Sequence, residues 1–84
     1  MNKLVKDFYS VDFSDLSMPL ITIFFNPKDV PGKYVARVFD LNKPTDMMTI
    51  KDTLEDIRET IPPQFANRIP RTPEDHESVV EVWL

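Results

Sequence analysis

Residues 20–41 read LITIFFNPKDVPGKYVARVFDL, and the fold follows from this stretch. Residues 20–25 are rich in Ile, Thr and Phe, types that suit a pleated, half-buried surface. Ile21, Ile23 and Phe25 alternate with Leu20, Thr22 and Phe24, and in a strand the two sets point to opposite sides. Both sets are apolar, which predicts a central strand covered at least in part on both faces. Residues 26–32 (NPKDVPG) predict a turn: Pro31 restrains φ, and Gly32, the chain's one glycine, supplies the positive φ of a type II turn. Residues 33–41 return as an antiparallel second strand, with Tyr34, Ala36 and Val38 on one face and Val35, Arg37 and Phe39 on the other.

Outward from this hairpin, residues 42–46 (NKPTD) predict a second turn and residues 47–50 a short third strand. Residues 52–61 predict a helix. Asp52 stands as its N-cap with Glu55 three residues on, Leu54, Ile57 and Ile61 form its apolar stripe, and Pro62-Pro63 stops it. So short a helix is marginal alone and must pack on the sheet. Residues 62–78 form a long, Pro-marked connection in which Phe65 and Ile69, at i and i+4, would tuck a helical turn against the core. Residues 79–84 (VVEVWL) close the chain as a last strand, expected to return beside the first strand and parallel to it. Before the hairpin, Leu4, Phe8 and Val11 fit a helix, whereas Tyr9, Val11 and Phe13 fit a strand. A helical turn followed by an extended stretch satisfies both patterns, and residues 1–18 read as an N-terminal arm or extension. The predicted class is α+β in a single domain. One mixed, mostly antiparallel sheet in the order β-β-β-α-β carries one helix on one face.

With 84 residues, no cysteine and a net charge of −4, the chain excludes a disulfide scaffold and a zinc finger. The charge is uneven. In residues 19–48, four basic and three acidic groups leave +1. Residues 49–61 and 62–84 each carry two basic and four acidic groups and stand at −2. No Lys/Arg cluster is present to neutralise phosphates, so direct nucleic-acid binding is not expected and a basic protein is the partner easiest to accommodate. Charges interrupt the first 15 residues, leaving no apolar core for a secretory signal, and no apolar run is long enough to span a bilayer. The expectation is a cytosolic protein without a membrane partner.

The search for chemistry returns little. His76 is the one histidine, within Glu74-Asp75-His76-Glu77, and adjacent residues in a polar turn do not converge on a metal. The serines lack a nucleophile-elbow context, and one glycine does not make a phosphate loop. Acidic residues early in the helix serve its cap and dipole. No catalytic residue, metal ligand or cofactor is therefore assigned, and the chain reads as non-enzymatic. Two candidate contact surfaces stand out. Asp52, Asp56 and Glu59, at i, i+4 and i+7, would draw an acidic line along the helix for a basic partner. Arg37 interrupts an otherwise apolar strand face next to Phe39. With Trp83 of the last strand, which shares a face with Glu81 and Val79, they would form a surface of interface-like composition if that face is uncovered.

The second strand and the helix also resemble the HicB-like antitoxin domain, whose members often show a Gly-Tyr-Val-Ala strand ending in Asp-Leu and a Gly-Asp-Thr-Leu-Glu-Glu helix start. Tyr34, Val35, Ala36, Asp40 and Leu41 match the strand, and Asp52, Thr53, Leu54, Glu55, Arg58, Glu59 and Ile61 match the helix. The resemblance covers about residues 19–61. Asn42-Lys43-Pro44 replaces the family's Pro-Gly-Cys, Lys51 stands where it has glycine, and its usual C-terminal DNA-binding segment is missing. The resemblance implies a partial ribonuclease-H-like sheet with no nuclease activity, self-association, and binding to a small basic toxin protein. The functional expectation is a protein-binding regulatory module, with a homodimer compatible with it. The alternative is a small acidic inhibitor or accessory protein of a phage or mobile element.

Overall fold

The structure, a computed structural model, describes residues 3–84. Six strands form one mixed sheet: β1 (Lys3–Leu4), β2 (Pro19–Phe25), β3 (Tyr34–Asp40), β4 (Lys43–Lys51), β5 (Arg68–Pro70) and β6 (Val79–Trp83). One helix, α1 (Leu54–Glu59), lies between β4 and β5 in the chain. The spatial order is β1-β4-β3-β2-β6-β5. Only β1 runs parallel to its neighbour; the other four pairings are antiparallel. The α+β class and the β2–β3 hairpin follow the sequence expectation, but the parallel return of the last strand does not. β6 lies beside β2 as expected and runs antiparallel to it, with Ile21 opposite Trp83 and Ile23 opposite Glu81. The connection after α1 contains β5, an extra strand that turns the chain back before β6 enters the sheet.

Local chemistry explains the elements. At the β2–β3 connection Gly32 has φ 77°, as its position after Pro31 required, and Asn26, φ 55°, accepts the Gly32 N–H on its Oδ1 at 2.7 Å. The second hairpin is tighter than predicted. Asp40 pairs with Lys43, so only Leu41 and Asn42 turn the chain and the third strand has nine residues instead of four. Leu41 sits at φ 60°, a region that costs a residue with a Cβ. Between Arg37 and Phe39 the β3–β4 register shifts, and Thr45 Oγ1 donates to the Val38 carbonyl at 2.8 Å, filling the gap in the ladder. Thr53, not Asp52, caps α1: its hydroxyl accepts the Asp56 N–H at 3.1 Å. Residue 61 precedes Pro62, which disfavours helical geometry, and the helix closes at Thr60.

The core lies on one face of the sheet. Ile21, Ile23, Ala36 and Val38 meet Ile57 and Ile61 from the helix end, and Phe65 from the connection. Phe8 (0% exposed) and Phe13 join them, so the segment read as an N-terminal extension supplies two core aromatics; Phe13 and Phe65 stack edge-on, centroids 5.0 Å apart. Among the described residues of this segment no helix forms, although the Val11 N–H donates to the Phe8 carbonyl at 3.3 Å and closes a single turn; Met1 and Asn2 lie outside the described residues. Instead β1 pairs with β4, and the Phe8 N–H donates to the Thr60 carbonyl at 3.0 Å. Phe65 is buried as expected, but Ile69 lies in β5 and is exposed.

Candidate interaction surface and its pocket

Strand alternation divides the sheet side chains into two sets, and only one set faces the helix. Opposite residues of an antiparallel pair share a face. Thr22 is therefore on the same side as Arg37 and Val82, and Arg37 on the same side as Met48. Phe24 joins Val35 and Val79, and Leu20 joins Phe39. Ile50 continues the second row beside Val35, and Ile69 extends the first beyond Val82. No helix of the described residues covers this second face; α1 contacts β3 and β4 from the core side. Phe24 and Phe39 form a tilted pair with centroids 6.4 Å apart.

Arg37 is the one charged side chain in these rows, and it is 19% exposed. A guanidinium nitrogen lies 3.7 Å from Asp29 Oδ2, and another contact reaches Met48 Sδ at 3.6 Å. The long connection between β2 and β3 places Asp29 there by folding over the end of the sheet. With the segment before β6 it walls a pocket of about 360 Å³. Phe24, Val35 and Arg37 form the floor; Pro27, Lys28 and Asp29 form one wall, His76 and Ser78 the other. Ser78 orients the histidine. Its backbone N–H donates to His76 Nδ1 at 3.1 Å and its hydroxyl lies 2.8 Å from the same nitrogen. Nδ1 is thus an acceptor, and the other ring nitrogen carries the proton.

The sequence-predicted surfaces fare unequally. Arg37 and Phe39 do share the open face. Trp83 does not: its register opposite Ile21 puts it on the helix side, packed against the core, so the Arg37–Phe39–Trp83 surface is not formed. Val79 also departs from Glu81 and Trp83, because a bulge between Ile23 and Phe24 sets it opposite Phe24. The acidic line is interrupted. Asp52 precedes the extended Thr53, so helical spacing does not begin at Asp52, and its carboxylate is bound by Lys33. That hydrogen bond and the lysine charge hold the Asp52 carboxyl below its ordinary value. Asp56 and Glu59 line a separate cleft with Asp7, between Lys6 and Lys51.

Sequence reasoning missed one cluster. Glu81, 1% exposed, accepts hydrogen bonds from Arg58 Nε at 3.0 Å, Arg58 Nη2 at 2.7 Å and Trp83 Nε1 at 2.8 Å, and Arg68 Nη1 lies 3.7 Å away. Burial alone would raise its carboxyl, but the Arg58 and Trp83 hydrogen bonds and the two arginine charges hold it below its ordinary value. The Glu81 hydrogen bond in turn raises Arg58. A lone Glu between valines in VVEVWL was the available signal. Held ionised with its oxygens occupied, Glu81 ties α1 and β5 to β6 and is not available as an acid or base. Among the described residues, no group of three or more His, Asp or Glu side chains is arranged to hold a metal ion, and no helix is long and apolar enough to cross a membrane. No family model, curated protein or solved structure matches the chain.

Proposed function

We propose that this chain is a non-enzymatic protein-binding module whose docking surface is the open face of the sheet, centred on Arg37 and Phe39. The observation that carries the reading is that face itself: Phe24 and Phe39 pair on it, Leu20, Ile50 and Val82 are half-buried beside them and Ile69 is exposed, while Thr22, Val35, Met48 and Val79 are buried among them and the core is packed on the opposite face. A contiguous apolar patch is a common mark of a protein interface. The occupant is a protein of opposite net charge. A chain at −4 attracts a basic protein at long range, and the apolar rows then supply short-range contact area. The resemblance to HicB-like domains implies the same class of activity. The helix surface is the weaker docking site, because Asp52 is engaged by Lys33 and Asp56 and Glu59 lie between lysines.

The test is affinity capture at low salt with wild type, Phe39→Ser, and the double variant Asp56→Lys/Glu59→Lys, each first shown to melt cooperatively. A basic protein retained in stoichiometric amount by wild type and the double variant, but lost by Phe39→Ser, is the expected result. Retention by Phe39→Ser and loss by the double variant would move the site to the helix. Capture of nucleic acid alone by wild type would refute the reading. Binding is expected to weaken with salt, because the steering charges are exposed.

A further inference from the structure

The pocket at the end of the open face has the makeup of a small-molecule site. We infer that it binds a small monoanion with a ring-sized apolar body, an aromatic carboxylate being the simplest member of the class. Its volume of about 360 Å³ falls within the range of ligand pockets, about 300–1,000 Å³. The floor of Phe24 and Val35 offers an apolar bed, and Pro27 closes one side. Arg37 in the floor and Lys28 in the wall bring two positive charges to the lining, and Asp29 takes back one, so the lining is net positive in a chain that is net negative. Ser78 and the protonated nitrogen of His76 add hydrogen-bond capacity on the opposite wall. Asp29 Oδ2 lies 3.7 Å from the Arg37 guanidinium in the same lining and is exposed. A ligand carboxylate entering the pocket competes with Asp29 for that contact, and a planar guanidinium accommodates a carboxylate well.

This goes beyond docking of a protein on the sheet face, and the two fail separately. Phe39 lies outside the pocket lining, and Lys28 lies outside the sheet rows. Phe39→Ser should disable docking and spare the ligand, whereas Lys28→Gln should do the reverse.

The experiment is a two-dimensional amide NMR titration of the full chain with phenylacetate, benzyl alcohol and acetate as separate probes. Phenylacetate should bind with Kd on the order of 1 mM and shift the amides of Phe24, Val35, Arg37 and Ser78. Benzyl alcohol and acetate should each bind at least about tenfold more weakly. Lys28→Gln, on an exposed loop, should weaken phenylacetate several-fold. Arg37→Met should bring it to the level of benzyl alcohol, and Asp29→Asn should tighten it by removing the competing carboxylate. Equal affinity for phenylacetate and benzyl alcohol would overturn the inference. So would shifts that map elsewhere, the absence of saturable binding by phenylacetate, or no gain in Asp29→Asn.

Discussion

Replacing Arg58 by Met removes a charge from the most buried ionic cluster while keeping most of the side-chain stem. Glu81, 1% exposed in the native cluster, is then left with the Trp83 N–H at 2.8 Å and Arg68 at 3.7 Å to compensate it. Breaking a fully buried ion pair costs about 3–5 kcal/mol. Here the Arg58 side chain is itself 41% exposed, water can enter where it lay, and Arg68 remains, so the expected loss is about 2–3 kcal/mol. Against a total of about 5 kcal/mol for a domain this small, that should lower Tm by about 10–20 °C. Urea unfolding followed by fluorescence is the assay. Trp83 is the sole tryptophan and donates directly to Glu81, so its emission reports on the cluster itself. The pH dependence separates charge from packing. In wild type the Glu81 carboxyl is lowered, so its stabilisation is fully present above its unfolded value, about 4.5, and is lost as pH falls through the native value. Arg58→Met removes both the hydrogen bond and the charge by which Arg58 lowers the Glu81 carboxyl, so that carboxyl should rise from its wild-type value. The deficit relative to wild type should therefore be largest at neutral pH and shrink on acidification towards about pH 4–5. Adding Glu81→Gln to Arg58→Met should restore part of the stability. A loss below about 0.5 kcal/mol at neutral pH, or a deficit that does not change with pH, would refute the assignment of Arg58 as the principal counter-charge.

Other substitutions test separate parts of the fold. Thr53→Ala should cost about 1 kcal/mol in chemical unfolding through loss of the cap on the Asp56 N–H, whereas Asp52→Ala should leave the midpoint unchanged; the opposite pattern would return the cap to Asp52. Leu41→Gly, at an exposed position with φ 60°, should stabilise by about 0.5–1 kcal/mol, read as a Tm rise of a few degrees, because relief of the left-handed strain exceeds glycine's extra unfolded-state entropy. Phe8→Ala should cost about 3–5 kcal/mol and leave little folded protein by circular dichroism at room temperature. A cooperative melt near the wild-type Tm would show that the N-terminal segment is dispensable.

The two functional readings draw on neighbouring parts of one surface. Arg37 and Phe39 were legible as a pair because residues two apart in a strand share a face, and the charge in KYVARVFDL marked the position. The pocket was not legible. Its floor comes from β2 and β3, and its walls from two connections nearly fifty residues apart, Lys28 and His76. Nothing in either connection names the other.

Local chemistry in the sequence was sufficient for the hairpin of β2 and β3, the Gly32 turn, the short helix with its Pro stop, and the strand character of residues 79–83. Each depends on neighbours a few residues apart, where side-chain period and turn preference act directly. It was insufficient wherever two close choices compete or distant segments meet. Asp52 and Thr53 are both good caps, and backbone geometry at α1 selected Thr53. A Leu at positive φ gave no local warning of the tight turn at Leu41. The direction of β6 was set by the intervening β5, and its register against β2 put Trp83 on the core side; a slip of one residue would have placed it on the open face. Glu81 and Arg58 are 23 residues apart in the chain, and only the assembled sheet, with α1 packed on it, brings that buried carboxylate to its counter-charge.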